Sequence, residues 1–233
     1  MNTAIIAAAG TGARMASDRP KQFLLLAGTP IIFRTLKPFE QCESIQEVIV
    51  VLPAEESGAF LALAGKQGLR KLSRVVPGGA TRADSVKRGL NAIRSASAGI
   101  VAVHDGVRPF VTAEEIDSVV AAAESDGAAI LVAPITDTIK QVGEHSVVRT
   151  LDRQELRRAL TPQCFRYELL RKAYENADVN DPALTDDSAL LERIGARVTA
   201  VTGSARNIKI TTPEDLLLAE ALLNTDDTDW NRN

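Results

Sequence analysis

Thr3-Ala4-Ile5-Ile6-Ala7-Ala8-Ala9-Gly10-Thr11-Gly12-Ala13-Arg14-Met15 is the stretch that decides the fold. A short apolar run enters a glycine turn, and a basic residue follows at once. Such a run, bounded by glycine, reads as a strand buried on both faces. Similar runs recur outward along the chain, at Val48 to Leu52, Ile100 to His104 and Ala128 to Ala133. Between them lie amphipathic segments, about Ile31 to Gln41, Glu55 to Lys66, Thr81 to Ile93 and Thr112 to Glu124. Strands alternating with helices imply an α/β fold with a mostly parallel sheet covered on both faces. Helix starts carry their own signals. Thr112 with Glu115 fits a capping box. Thr212, Pro213 and Glu214 fit an N-cap, a first-turn proline and an acid at the positive end of the dipole.

Bulk composition narrows the class. The chain has 233 residues, 45% hydrophobic and 24% charged, which suits one large globular domain or two small ones, and a single domain over 1–233 is expected. A formal net charge of -3 argues against a general nucleic-acid binder. Apolar runs stop well short of the roughly 20 residues that a membrane span needs. Met1-Asn2-Thr3 lacks a basic segment before an apolar stretch, so no signal peptide is read there. Cys42 and Cys164 are too few and too far apart for a disulfide framework or a zinc site, and a reducing cytoplasm is expected. His104 and His145 make a His-based metal centre improbable.

One stretch breaks the alternation. Thr138 to Arg153 reads as a β-ribbon with Gly143-Glu144-His145-Ser146 near its tip. A lone ribbon is marginal in water, so it packs either on its own domain or on a second subunit. The polar segment Asn224 to Asn233 is expected to fray.

Four constellations carry possible chemistry. Ala7 to Met15 offers small residues and successive N–H groups that can cradle an anion. Met15 stands where a dinucleotide fingerprint wants Gly or Ala, and the Gly-Lys-Ser/Thr of a P-loop is absent. Arg14 and Lys21 lie close behind the turn, which fits a triphosphate or an ordinary tight turn with solvated cations. Pro77-Gly78-Gly79-Ala80-Thr81-Arg82-Ala83-Asp84-Ser85 is a glycine turn feeding a helix. Ala83, Val86, Leu90 and Ile93 form its buried stripe, and Arg82, Ser85 and Gly89 fall on another face, against a nucleotide or against packing. Val101 to Pro109 ends a buried strand in His104-Asp105-Gly106, then Arg108. Ligands gather beyond such strand ends, although Asp105 could equally bond local backbone. His104 reads as a satisfied, partly buried histidine. Lys209 lies in a short apolar strand between Ile208 and Ile210, where it snorkels or serves a polar site.

These motifs, in order, resemble the 2-C-methyl-D-erythritol 4-phosphate cytidylyltransferase family. The resemblance rests on Ala8 to Met15, Pro20-Lys21-Gln22, Arg82 to Val86, His104 to Pro109, Asp137-Thr138, Leu160 to Gln163, Thr185-Asp186-Asp187 and Asn207-Ile208-Lys209. It covers about residues 3 to 222. It implies a Rossmann-like nucleotidyltransferase fold with a projecting β-arm, about 136–156, and a homodimer that exchanges arm contacts. It further implies transfer of CMP from CTP to methylerythritol phosphate with release of pyrophosphate. Arg14 and Lys21 are similar to the residues acting at the α-phosphate. Lys209, and Arg153 from the partner's arm, are similar to those positioning the polyol phosphate. Arg108, Thr138, Thr161 and Asp105 match other substrate-side positions. Ala8, Ala9, Gly10, Gly12, Gly79, Arg82, Ser85, Asp105 and Gly106 match nucleotide-side positions. Ala80 and Ala13 depart from residues common in the family, an acid and a second basic residue. Mg²⁺ is expected mainly on the triphosphate oxygens, where no direct protein ligand is required. The rivals are a ribitol 5-phosphate cytidylyltransferase and a nucleotide-binding protein without turnover; Met15 disfavours a dehydrogenase.

Overall fold

The computed structural model describes residues 1–10, 12, 15, 19–94 and 99–226. Arg14, Ala13 and the tail beyond 226 lie outside the described residues. The strands are β1 (Thr3–Ala7), β2 (Leu25–Leu26), β3 (Thr29–Pro30), β4 (Glu47–Leu52), β5 (Leu72–Pro77), β6 (Ile100–Asp105), β7 (Ala128–Pro134), β8 (Lys140–Gly143), β9 (Ser146–Thr150), β10 (Arg157–Arg166) and β11 (Thr199–Thr202). The helices are α1 (Ile31–Gln41), α2 (Ser57–Ala64), α3 (Arg82–Asn91), α4 (Ala113–Asp126), α5 (Tyr167–Glu175), α6 (Ser188–Arg193) and α7 (Pro213–Asp226).

One sheet runs in the order β11-β7-β10-β6-β1-β4-β5. β1 pairs in parallel with both β4 and β6, whereas β10 is antiparallel to β6 and β7. The chain leaves β1 on one side towards β4 and β5, then returns to its other side with β6. That reversal makes the carboxyl ends of β1 and β6 a topological switch point, where open α/β sheets form a ligand crevice.

Alternation along β1 divides the core. Ile6 packs with Leu36 and Phe39 of α1 and Val119 of α4 on one face. Ile5 packs with Val86 and Leu90 of α3 and with Phe165 and Tyr174 on the other. Local signals hold the helices as expected. Thr112 and Glu115 exchange both capping-box bonds, and Thr81 Oγ1 accepts from Asp84 N at 3.0 Å. Asp215 N donates to Thr212 Oγ1 at the start of α7. That helix continues through Asn224 to Asp226, so the start of the segment expected to fray is helical.

One open alternative is resolved and one expectation is corrected. Gly89 does not face a nucleotide: a Cβ there would stand 2.6 Å from Ile5 Cγ2, so this glycine lets α3 lie close on the sheet. Lys209 is not in a strand; residues 207–211 form an irregular segment anchored where Ile210 N donates to Val107 O at 2.9 Å. The ribbon exists as a separate two-stranded sheet, β8 with β9. Its Val142, Val147 and Val148 are each about 60% exposed (63%, 59% and 61%).

Candidate active site

The crevice at the switch point holds two adjoining cavities. The larger, of about 280 Å³, is floored by Ala7, Ala8, Ala9 and Gly10 beyond β1. Its wall is the start of α3, with Gly79, Ala80, Thr81, Arg82 and Ser85; Lys21, Gln22 and Lys209 close it. The smaller, of about 200 Å³, is lined by Arg108, Thr161, Gln163, Thr185 and Asp186 among others. Arg82, Asp105 and Lys209 line both cavities and form the partition between them.

The backbone of the larger cavity is pressed into place by residues that tolerate close approach. A Cβ on Gly78 would fall 2.1 Å from the Ala9 Cβ, so the turn after β5 can touch the end of β1 only because position 78 is glycine. Gly79 is equally constrained, since the Asp84 carboxylate fills the space of its missing Cβ. The Ser85 hydroxyl accepts from Gly79 N at 3.0 Å and donates to Thr81 O at 2.9 Å. Ala80 N donates to Asp84 Oδ2. The turn is therefore rigid before any ligand arrives. The N-terminal end of α3 adds the positive end of its dipole to this wall. Gln22, almost fully buried, donates to Ala8 O at 2.6 Å and ties the Pro20-Lys21-Gln22 turn to the β1 end. A Cβ on Gly12 would meet Lys21 at 3.2 Å.

Electrostatics concentrate on Asp105. Its Oδ1 accepts from Arg82 Nε at 3.0 Å, and its Oδ2 meets Arg108 Nε at 3.2 Å and Lys209 Nζ at 3.0 Å. Burial would raise its pKa, but Arg82, Lys209 and Arg108 outweigh that and hold the carboxylate far below the ordinary range. Burial alone would weaken the hold of Arg82 on its proton; Asp187 and Asp105 reverse this and keep it firmly charged. Burial pulls Arg108 below its ordinary value, with Asp105 opposing.

His104 is satisfied, as expected, but wholly rather than partly buried. Its Nε2 lies 3.1 Å from Arg108 O, a pure acceptor, so Nε2 carries the proton. Nδ1 then accepts from the Thr161 hydroxyl at 3.0 Å, and the Thr161 oxygen accepts from Asp105 N at 3.1 Å. Burial lowers the His104 pKa to about 4, so the ring is neutral near pH 7. The Thr161 hydroxyl is thus committed to orienting β6 against β10.

The family described as IspD: 2-C-methyl-D-erythritol 4-phosphate cytidylyltransferase matches residues 2–225 of this chain. The chain belongs to that family. A 2-C-methyl-D-erythritol 4-phosphate cytidylyltransferase of Pelotomaculum thermopropionicum is 45% identical over 222 residues, covering 94% of this chain and 93% of that one. One of Bacillus cytotoxicus is 44% identical over 223 residues, covering 96% and 98%. Among solved structures, a 4-diphosphocytidyl-2C-methyl-D-erythritol synthase from Anaerococcus prevotii superposes with a TM-score of 0.85 at 31% identity, covering 96% of each chain. The 2-C-methyl-D-erythritol 4-phosphate cytidylyltransferase from Thermus thermophilus gives 0.77 at 36% identity, covering 95% of this chain and 98% of that one. These likenesses establish the Rossmann-like cytidylyltransferase fold.

Within this cytidylyltransferase fold, Gly12 packs against Lys21, and the other expected residues that are described fall into four groups. Ala8, Ala9, Gly10, Lys21, Gly79, Arg82, Ser85, Asp105 and Lys209 line the larger cavity. Arg108 and Thr161 line the smaller one. Gly106 lies beneath, where a Cβ would come within 2.5 Å of the Ala8 Cβ. Thr138 and Arg153 line neither cavity; both are exposed on or beside the arm, and Arg153 Nη1 donates to Thr136 O at 2.6 Å. The residues that sequence reasoning left without a role are Gln22, Gln163, Asp186, Asp187 and Tyr174. The first four stand inside motifs that carried the resemblance, which was the available signal; Tyr174 had none.

Proposed function

We propose that this chain is a CTP-dependent cytidylyltransferase that joins CTP to 2-C-methyl-D-erythritol 4-phosphate, giving 4-diphosphocytidyl-2-C-methyl-D-erythritol and pyrophosphate. The carrying observation is the pair of cavities meeting at Arg82, Asp105 and Lys209, in a chain matched by this family over residues 2–225. The larger cavity suits the nucleotide: a rigid glycine turn, small backbone-facing residues and Lys21. The smaller suits a polyol phosphate, with cations for its phosphate and carboxylate or amide groups for its hydroxyls.

The chemistry needs no side-chain nucleophile. A phosphate oxygen of the polyol attacks the CTP α-phosphorus in line. The bond from that phosphorus to the bridging oxygen breaks, and pyrophosphate leaves with the electron pair. The barrier is repulsion between anions, plus charge developing on the leaving group. Preorganised cations lower it. Lys21 and Arg14 serve the α-phosphate, and Lys209 sits at the junction where the two substrates meet.

Magnesium enters this reading as part of the MgCTP substrate. Asp105, the carboxylate shared by both cavities, is already engaged by three cations. Among the described residues no three His, Cys, Asp or Glu groups cluster as a metal site. Such walls fit an ion carried on triphosphate oxygens with its own waters. Bound there, it would withdraw charge from the phosphates.

The remaining parts of the reading concern assembly and place. The exposed valines of the arm favour burial against a second copy. A homodimer would then bring Thr138 and Arg153 of one arm to the smaller cavity of the other subunit. The enzyme works in the cytoplasm, where Cys42 and Cys164 stay reduced.

Pyrophosphate release is the test, with CTP, ATP or GTP offered against a panel of polyol phosphates. CTP with methylerythritol phosphate should be strongly preferred. Equal turnover with ribitol 5-phosphate, or with all three nucleotides, contradicts the reading, as does binding without release.

A further inference from the structure

We propose that Asp187, fixed by Tyr174, is a positioning residue for the transfer reaction, acting by holding the Arg82 guanidinium as the partition between the two cavities. Asp187 lines neither cavity, so any effect it has on the reaction passes through a neighbour. The neighbour is Arg82, whose Nη1 donates to Asp187 Oδ2 at 2.8 Å while its Nε donates to Asp105 Oδ1. One guanidinium therefore spans two carboxylates, from β6 and from the start of α6.

Arg82 needs this hold. It is the first residue of α3, where the positive end of the helix dipole disfavours a cation. Two acids beside it offset that. They also divide the work. Because Asp187 takes one edge of the guanidinium, Arg82 occupies only one oxygen of Asp105. The other oxygen is left for Arg108 and Lys209. Without Asp187, Arg82 would turn both its donor edges to Asp105 and displace the cations that face the substrates.

Asp187 is itself locked. It is 1% exposed, and its Oδ1 accepts from the Tyr174 hydroxyl. Gln163 Oε1 accepts from the backbone N–H groups of Asp187 and Ser188 at 3.0 and 3.1 Å. Tyr174 is buried, belongs to α5 and lines neither cavity. A surface ion pair would have none of these anchors.

The inference rests on the proposed transferase reading, and the test separates the two. Steady-state kinetics with CTP and methylerythritol phosphate are measured for wild type, Asp187→Asn, Arg82→Ala and the double variant. Asp187→Asn should lower kcat/KM by roughly tenfold to a hundredfold, the scale of one charge-assisted hydrogen bond. In the Arg82→Ala background the same change should have little further effect, because its target is gone. Additive losses overturn the proposal, since a merely structural residue loses its contribution in either background. Tyr174→Phe keeps the ion pair but frees the Asp187 rotamer, and should give a smaller loss in the same direction; it serves if Asp187→Asn folds poorly. A second readout needs no turnover. The Arg82 side-chain ¹⁵N signal, assigned through Arg82→Lys, should report a restrained guanidinium in wild type and should shift in Asp187→Asn, where Nη1 loses its carboxylate partner. An unchanged signal overturns the anchoring. Wild type that releases no pyrophosphate sinks the transferase reading, and the NMR comparison then decides the anchoring by itself.

Discussion

The partition between the cavities and the β-arm carry cations for the same proposed substrate, yet they are built in opposite ways. At the partition, every charged group is held by another: Asp187 and Asp105 by Arg82, Asp105 by Arg108 and Lys209. The turn beside it is fixed by Gly78, Gly79 and Ser85 through contacts within one chain. The arm is two strands with its valines in solvent, pinned only by local bonds such as Lys140 to Thr150 and Arg149 to Gln141. The contrast teaches where each half of the site gets its geometry. The partition is fixed by contacts across the fold, whereas the arm is held only by pairing between its own two strands and by local bonds. Mutations in the first should register in stability and activity together, and mutations in the second in activity alone.

The sharpest break should come from Asp105→Asn. Removing one partner of a buried charged cluster leaves three cations without their shared carboxylate and should cost about 3–5 kcal/mol of stability. Denaturant unfolding measures this. A loss of polyol-phosphate affinity with unchanged stability would instead mean that the carboxylate serves ligand hydroxyls and that the ion pairs contribute little. Lys21→Ala comes next. Loss of one preorganised charge at the reacting phosphate should lower kcat on the order of 10²–10³, about 3–4 kcal/mol, with circular dichroism unchanged. Near-normal kcat would return Lys21 to the solvated surface.

A pH series sharpens the same contrast. His104 is protonated near pH 6.5 when unfolded but only near pH 4 in the fold. The unfolded chain therefore binds the extra proton first, and stability falls as pH drops through that window, by about 3 kcal/mol in all. Asp105 works in a lower window: its depressed pKa contributes stability above about pH 4, lost only as pH falls further. Melting temperatures between pH 7.5 and 4.5 should decline in wild type and decline less in His104→Gln. Equal slopes would contradict the neutral buried ring. The smallest effect belongs to the arm: Arg153→Ala should change stability by no more than about 0.5 kcal/mol.

How far the sequence could be read follows the same division. β1, β4, β6, β7, α1, α3 and α4 were legible because local periodicity, glycine turns and caps all agree with the fold. β10 was not. Pro162 interrupts it, and proline argues against a central strand. The structure places that proline inside an irregularity, where the pairing with β7 shifts between Ala159 and Gln163. Polar Thr161 and Gln163 are buried there because their partners, His104 and the start of α6, are remote in sequence. The cavity floor was legible for the same reason as β1, since small residues at a strand end leave a visible mark. Asp187 is marked only by its motif, because its role lies in a contact with Arg82, 105 residues away, and Tyr174, which bonds Asp187, leaves no mark at all.

In the proposed dimer, a preorganised half-site in one subunit is completed by an arm from the other. Mixing Lys21→Ala subunits with Arg153→Ala subunits tests it most directly. Each parent has a defect in both of its sites. A mixed dimer, verified by native mass spectrometry, would carry one site with neither change. Pyrophosphate release from the mixture should stand well above that of either parent. Release no greater than the parents, with mixed dimers present, would show that Arg153 acts within its own chain and that the site is not shared.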